Sequence, residues 1–138
     1  MRVSQRADYA LRTVVALASY RSGEVVPAGL IAETLGLPRR FVEQQITALS
    51  RAGVVGSKRG AAGGCYLARP ASEITALEVV AAIEGTPCDV PRQPGSAVAE
   101  LWGDMAAAVS DTLSATSVAD LATRQRALAV PVESIYYI

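Results

Sequence analysis

The sequence predicts a mainly α-helical fold with a small β wing, and three observations predict it. Two short helical patterns meet at a glycine-containing turn, Gly36-Leu37-Pro38. The second pattern runs at once into a Gly-rich basic hairpin, Val54 to Ala68. Further on, Ser96 to Ser114 carries an apolar stripe at helical spacing with little chain left to cover it. Together these outline a winged helix-turn-helix followed by a long C-terminal helix that reads as a dimerisation element. The 138 residues are 51% apolar and 19% charged, so one packed domain is the default and global disorder is not expected. The expected boundaries are 1–85 for the winged unit, 86–95 for a loop, and 96–138 for the long helix, a short helix and a tail.

Taken in order, Ser4 to Tyr20 reads as a first helix with Ser4 as its N-cap. Tyr9, Ala10, Thr13, Val14, Leu17 and Ala18 make its apolar face. Val25-Val26-Pro27 reads as a short extended segment. Pro27 suits the start of a second helix, Ala28 to Leu35, with Leu30, Ile31, Thr34 and Leu35 turned inward and Gly36 as the stop. The third helix runs from about Pro38 to Ala52. Phe41, Val42, Ile46 and Leu49 face its core, while Arg39, Arg40, Glu43, Gln44, Thr47 and Arg51 face out. Val54-Val55 then begins a strand, Gly56 to Gly64 is the turn, and Cys65 to Ala68 is the return strand. Thr75 is the N-cap of a fourth helix with Glu78 at the capping-box position and Val79, Val80 and Ile83 buried; Gly85 ends it. After the three-proline loop, Ser96 to Ser114 is the long helix and Ser117 to Leu128 a last short one, capped by Ser117 with Asp120 in its first turn. Pro131 to Ile138 is an apolar tail.

Charge divides the chain. Residues 1–70 hold 10 Lys/Arg against 4 acids, and residues 71–138 hold 3 against 9, so a net charge of zero conceals a difference of +6 and −6. Only the half that meets phosphate needs to be basic, so the split favours a nucleic-acid partner for the first half. Arg2 and Arg6 lie at the start of the first helix, where phosphate is a natural neighbour. Arg40 and Gln44, four apart at the N-terminal end of the third helix, suit bidentate contacts to guanine and adenine; an ordinary solvated face is the competing reading. Arg59, beside Ser57 and Lys58 on the wing, suits a narrow minor groove. The G-x-x-x-x-G-K-[ST] phosphate loop is absent, and the glycines lie between strands rather than before a helix.

An enzyme has little support, since there is no histidine, no nucleophile–base pair and no metal-ligand spacing. No run of 18 apolar residues exists, so no membrane span is expected. Arg12 interrupts the apolar stretch of the first helix and makes a signal peptide a poor fit. Two cysteines are too few for a disulfide framework and fit a reducing cytoplasm. Cys65 reads as a small buried hydrophobe. Cys88, in the proline-rich loop, reads either as an inert thiol or as a sensing one. On the long helix, Val98, Leu101, Trp102, Met105, Val109 and Leu113 form the stripe for a second subunit, with packing onto its own domain as the alternative and a ligand-stacking role open for Trp102.

Several segments at once, MRVSQRADYALR, IAETLGLPRRFVEQQITALSRAGVV, SKRGAAGGCYLA and ITALEVVAAIEG, resemble the Rrf-two family of bacterial winged-helix regulators, which includes the IscR, NsrR and CymR types. The resemblance covers roughly residues 1–128. It implies a homodimer joined through the long helix that binds a palindromic operator in double-stranded DNA and usually represses. It puts Arg40, Phe41 and Gln44 where the family's recognition-helix contacts fall, and Arg59 at the wing arginine. Many members bind an iron–sulfur cluster through three cysteines in the loop after the fourth helix, some adding a carboxylate placed like Asp8. Here that loop holds only Cys88, so no cofactor is expected. Members poor in cysteine sense through a partner protein, a small molecule or a single thiol, and the effector stays open. The other functional class left open is an adaptor that docks a partner protein, such as an enzyme of sulfur metabolism.

Overall fold

The fold is described from a computed structural model, which describes residues 2–129. The apolar tail from Pro131 to Ile138 lies outside the described residues. Helix α1 (Gln5–Ala18) is the centre of the molecule: α2 (Ala28–Leu35), α3 (Arg39–Arg51), α4 (Ala76–Glu84) and α6 (Val118–Leu128) all lie against it. Ala7 and Ala10 on α1 are buried, and their small side chains let neighbouring helices approach closely. Val14 and Leu17 fill the layer beneath, each contributing about 1.5–3 kcal/mol by leaving water. The buried Thr13 bonds its hydroxyl to the Tyr9 carbonyl at 2.8 Å, so its polar atom is satisfied within the helix. Ser4 caps α1 by accepting from the Ala7 amide.

The turn between α2 and α3 is set by Gly36. Its φ of 66° is the left-handed conformation that glycine adopts without steric cost, and the Leu37 amide closes back on the Ala32 carbonyl at 3.0 Å. The inward face of α2 differs from the expected one. Ile31 and Ala32 are buried, while Leu30 is 42% exposed and Thr34 is exposed, its hydroxyl returning to the Leu30 carbonyl. A two-turn helix offers one narrow buried stripe, and Ile31 and Ala32 occupy it.

The wing is an antiparallel pair, β1 (Val55–Lys58) and β2 (Gly64–Leu67), in the register Val55↔Leu67, Gly56↔Tyr66, Ser57↔Cys65 and Lys58↔Gly64. Val26 bridges Cys65 through reciprocal backbone bonds of 2.8 and 2.9 Å, so the extended segment before α2 adds a short third edge. The turn is shorter than expected. Gly56, Ser57 and Lys58 belong to the strand, leaving 59–63 as the tip. Gly56 serves the strand because the Tyr66 ring lies over it, and any side chain there would overlap that ring.

A 3-10 turn (Ala71–Glu73) leads to α4, whose N-cap Thr75 accepts from the Glu78 amide at 3.1 Å. Glu78 does not complete a capping box; its carboxylate pairs instead with Arg69, tying α4 to the end of the wing. Helix α5 (Ala97–Ser114) starts at Ser96, and α6 at Ser117, where Asp120 and Ser117 form a reciprocal capping box. The Ala76 amide bonds the Thr116 carbonyl and the Val118 amide bonds the Ile74 carbonyl, both at 2.8 Å. These bonds return the chain to the first unit. Val118 and Ala122 are buried, so α6, grouped by sequence with α5, packs its apolar side on α1.

Candidate nucleic-acid interface

The N-termini of α2 and α3 differ from the rest of the fold. Helices α1, α4, α5 and α6 each have a Ser or Thr side chain capping the first turn. Helices α2 and α3 begin at Pro27 and Pro38 with no side-chain cap and no acid in the first turn. Their first amides are left to an external acceptor. Arg39 and Arg40 follow at once on α3, where a cation opposes the helix dipole by about 0.3–1 kcal/mol. Such a cost is local, and an anion placed there reverses it.

The expected contact residues fall into two groups and one exception. On α3, Arg40 and Gln44 are exposed, and Phe41 is half-buried. The Arg40 guanidinium lies 4.9 Å from the Phe41 ring centre, and Phe41 stacks on Tyr9 of α1. Ser57, Lys58 and Arg59 are exposed on the wing, and the Ser57 hydroxyl sits 3.4 Å from that of Ser50, joining the wing to the end of α3. Arg2 and Arg6 are exposed at the start of α1, with Arg6 sharing a cleft with Gln44. The exception is Arg39. Its Nε donates to the Glu43 carboxylate at 2.8 Å and its guanidinium lies beside Gly29 of α2, so it is turned back from Arg40.

Three residues of α1 and α3 behave otherwise than their pattern suggests, and only the first two touch the expected contact residues. Tyr9, on the apolar face of α1, is half-buried and braces Phe41. Glu43 holds Arg39. Gln45 is a buried polar residue on the apolar stripe of Val42, Ile46 and Leu49. Spacing alone puts position 45 on that stripe, and a glutamine there was the available signal.

The two thiols lie apart in character. Cys65 is sealed in β2, its S–H directed at the Val26 carbonyl 3.7 Å away, and burial pushes its pKa up to about 11. Cys88 is half-buried in the loop joining α4 to α5. The described part of α5 buries none of its residues; Val98 and Leu101 are exposed, Trp102 is 37% exposed, and Met105, Val109 and Leu113 are half-buried.

This combination of uncapped recognition turn, basic wing and central α1 has matching relatives. The family model described as "Rrf2: Iron-dependent Transcriptional regulator" matches residues 3–124. The chain belongs to the Rrf2 family. It is 33% identical to the HTH-type transcriptional regulator CymR of Bacillus subtilis over 125 residues, covering 89% of this chain and 91% of that one. The solved structure of CymR, described as the global cysteine regulator of B. subtilis, superposes with a TM-score of 0.81 at 32% identity over 90% of this chain and 98% of that one. The solved structure of IscR from T. potens gives 0.82 at 27% identity over 99% and 97%. This Rrf2 protein is therefore a transcriptional regulator with the winged-helix fold, and its named relatives are regulators rather than enzymes.

The iron named in the family description does not fit the donors of this Rrf2 chain. Among the described residues no group of three His, Cys, Asp or Glu side chains could hold a metal ion. The chain has two cysteines and no histidine, and Cys65 is closed off in the wing sheet. Asp8 receives the Arg12 Nε on both oxygens at 3.0 Å. Thiolate-rich ligation of an iron–sulfur cluster asks for more thiols than these two cysteines supply in one chain. Among the described residues, no helix is long and apolar enough to cross a membrane.

Proposed function

We propose that this Rrf2 regulator binds double-stranded DNA as a homodimer, recognises a palindromic operator and represses transcription, without an iron–sulfur cluster. The observation that carries this reading is the open N-terminal turn of α3, flanked by Arg40 and Gln44 and continued by Lys58 and Arg59 on the wing. Helix α3 enters the major groove. Arg40 contacts guanine O6/N7 and Gln44 adenine N6/N7, while Arg2, Arg6, Ser57 and Lys58 hold phosphates. Arg59 reaches the adjacent minor groove. Arg39, engaged by Glu43, contributes charge rather than base readout.

The exposure of α5 supports the second subunit. A large exposed aliphatic and aromatic stripe on an 18-residue helix is costly in water and is relieved by pairing with its own copy. Two α3 helices then lie about 34 Å apart or a multiple of it, in major grooves on one side of the duplex. Cys88, between the reading unit and α5, is the thiol through which oxidation would alter the angle between the two wings.

Selection from a random duplex pool, with and without a thiol oxidant, tests the reading. A palindromic site bound in a salt-sensitive manner supports it, and the absence of any sequence-selective binding defeats it. A visible iron–sulfur charge-transfer band after anaerobic purification would overturn the cluster-free part.

A further inference from the structure

A cleft of about 300 Å³ opens between α1, α3 and α4, lined by Arg6, Gln44, Gln45, Ala48 and Ile83. Gln45 is the unusual residue in it. It is 3% exposed, and among the described residues its carboxamide has no hydrogen-bond partner. None of the described side-chain polar atoms is both sealed from solvent and unbonded, so the amide keeps an edge on the cleft. Arg6 brings a guanidinium to the same space and has no ion-pair partner among the described residues. The next acid along α4, Glu84, accepts from the Ser4 hydroxyl and does not line the cleft. Ala48 and Ile83 supply apolar wall.

We propose that this cleft binds a small carboxylic acid with a short apolar tail. The Arg6 guanidinium takes the carboxylate, the Gln45 amide N–H donates to it, and the tail lies on Ala48 and Ile83. A volume of about 300 Å³ is at the small end of ligand sites and suits a compact molecule. Arg6 and Gln44 also belong to the proposed duplex face, so ligand and duplex exclude one another and each weakens the other's binding by the same factor. That linkage rests on the DNA-binding reading; the ligand site itself does not.

The test titrates the full-length ¹⁵N-labelled protein with hexanoate, and with hexylamine and hexanol as cationic and neutral controls of the same tail. Hexanoate alone should shift the Gln45 side-chain amide signals at millimolar concentration. Gln45→Leu should weaken hexanoate about tenfold or more while leaving duplex affinity unchanged, and Gln45→Glu should abolish the preference for hexanoate over hexylamine. No shift with hexanoate, equal shifts with all three probes, or undiminished binding by Gln45→Leu overturns the site. If a variant fails to fold, the three probes on the unsubstituted protein still decide. Hexanoate binding that leaves duplex affinity untouched overturns the linkage alone, and failure of duplex selection leaves the hexanoate result standing.

Discussion

The Arg40 guanidinium lies 4.9 Å from the centre of the Phe41 ring, and that ring stacks on Tyr9 at 6.1 Å with 27° between planes. A side chain that must read a base benefits from losing its rotamer freedom before binding, and this array restrains Arg40 from α1. Arg40→Ala should remove discrimination at one base pair per half-site by about 1–3 kcal/mol. Phe41→Leu keeps the guanidinium but loses the cation–π contact, worth about 0.5–1 kcal/mol at an exposed site. Its loss should therefore be the smaller of the two and confined to the same base pair. Affinities for a set of singly substituted operators measure both.

Wing contacts to phosphate should register in the salt dependence. If each protomer neutralises about four phosphates, the dimer's log K falls against log salt with a slope near −7. Lys58→Ala removes one contact per protomer, and the slope should become shallower by about 2 with no change in the preferred sequence. Fluorescence anisotropy at several salt concentrations checks the slope; a slope unchanged by Lys58→Ala removes this residue from the phosphate set.

Substitution at Gly56 should act on stability and wing shape together. A valine suits a strand by propensity, but here its side chain would collide with the Tyr66 ring. Displacing that ring costs about 1–3 kcal/mol, the range for overpacking. Gly56→Val should lower the melting temperature and weaken duplex binding, whereas the paired change Gly56→Val with Tyr66→Ala should recover stability. Thermal denaturation of the two variants separates the collision from a backbone effect.

The course of the helices was legible because their ends carry local chemistry. Ser4, Thr75 and Ser117 cap the helices whose starts they mark in the sequence, and Gly36 and Gly85 end theirs. The misreadings occurred where a tertiary neighbour decided. Gly56 reads as turn until Tyr66 is placed across from it. Glu78 reads as a capping residue until Arg69 is brought alongside. The inward side of α2 could not be chosen from eight residues, because Leu30 and Ile31 are equally apolar and only packing on α1 and α3 separates them. In the candidate interface, exposure of Arg40 and Gln44 followed from helical periodicity and that of Arg59 from the Gly-rich turn, but diversion of Arg39 onto Glu43 required the rotamers.

The thiols should separate by reactivity and by pH. Cys65 is sealed, and its pKa is raised from the ordinary value of 9.0 to about 11 because burial disfavours the thiolate. A raised acid stabilises the fold fully below its ordinary pKa, and that contribution is lost as pH rises through about 9 to 11, amounting to at most about 3 kcal/mol. Cys65→Ala should therefore flatten the alkaline fall in denaturation midpoint over this window. A disulfide reagent at neutral pH should modify Cys88 first and reach Cys65 only on unfolding; rapid modification of both in the native protein contradicts the sealed position.

The stripe on α5 makes the last prediction. Val98 and Leu101 are 60% and 59% exposed and Trp102 37%, on a helix that buries none of its residues in the protomer. Pairing of two such stripes removes them from water at about 25 cal/mol per Å² of apolar surface, and a charge placed in the seam loses its hydration without gaining a partner. Leu101→Asp should therefore shift the protein to monomer in sedimentation equilibrium with little change in the helix content of each protomer, because no core residue is touched. Half-site affinity should survive, while full-operator affinity should fall toward the half-site value as two linked contacts become one. A variant that remains dimeric would place the subunit interface elsewhere.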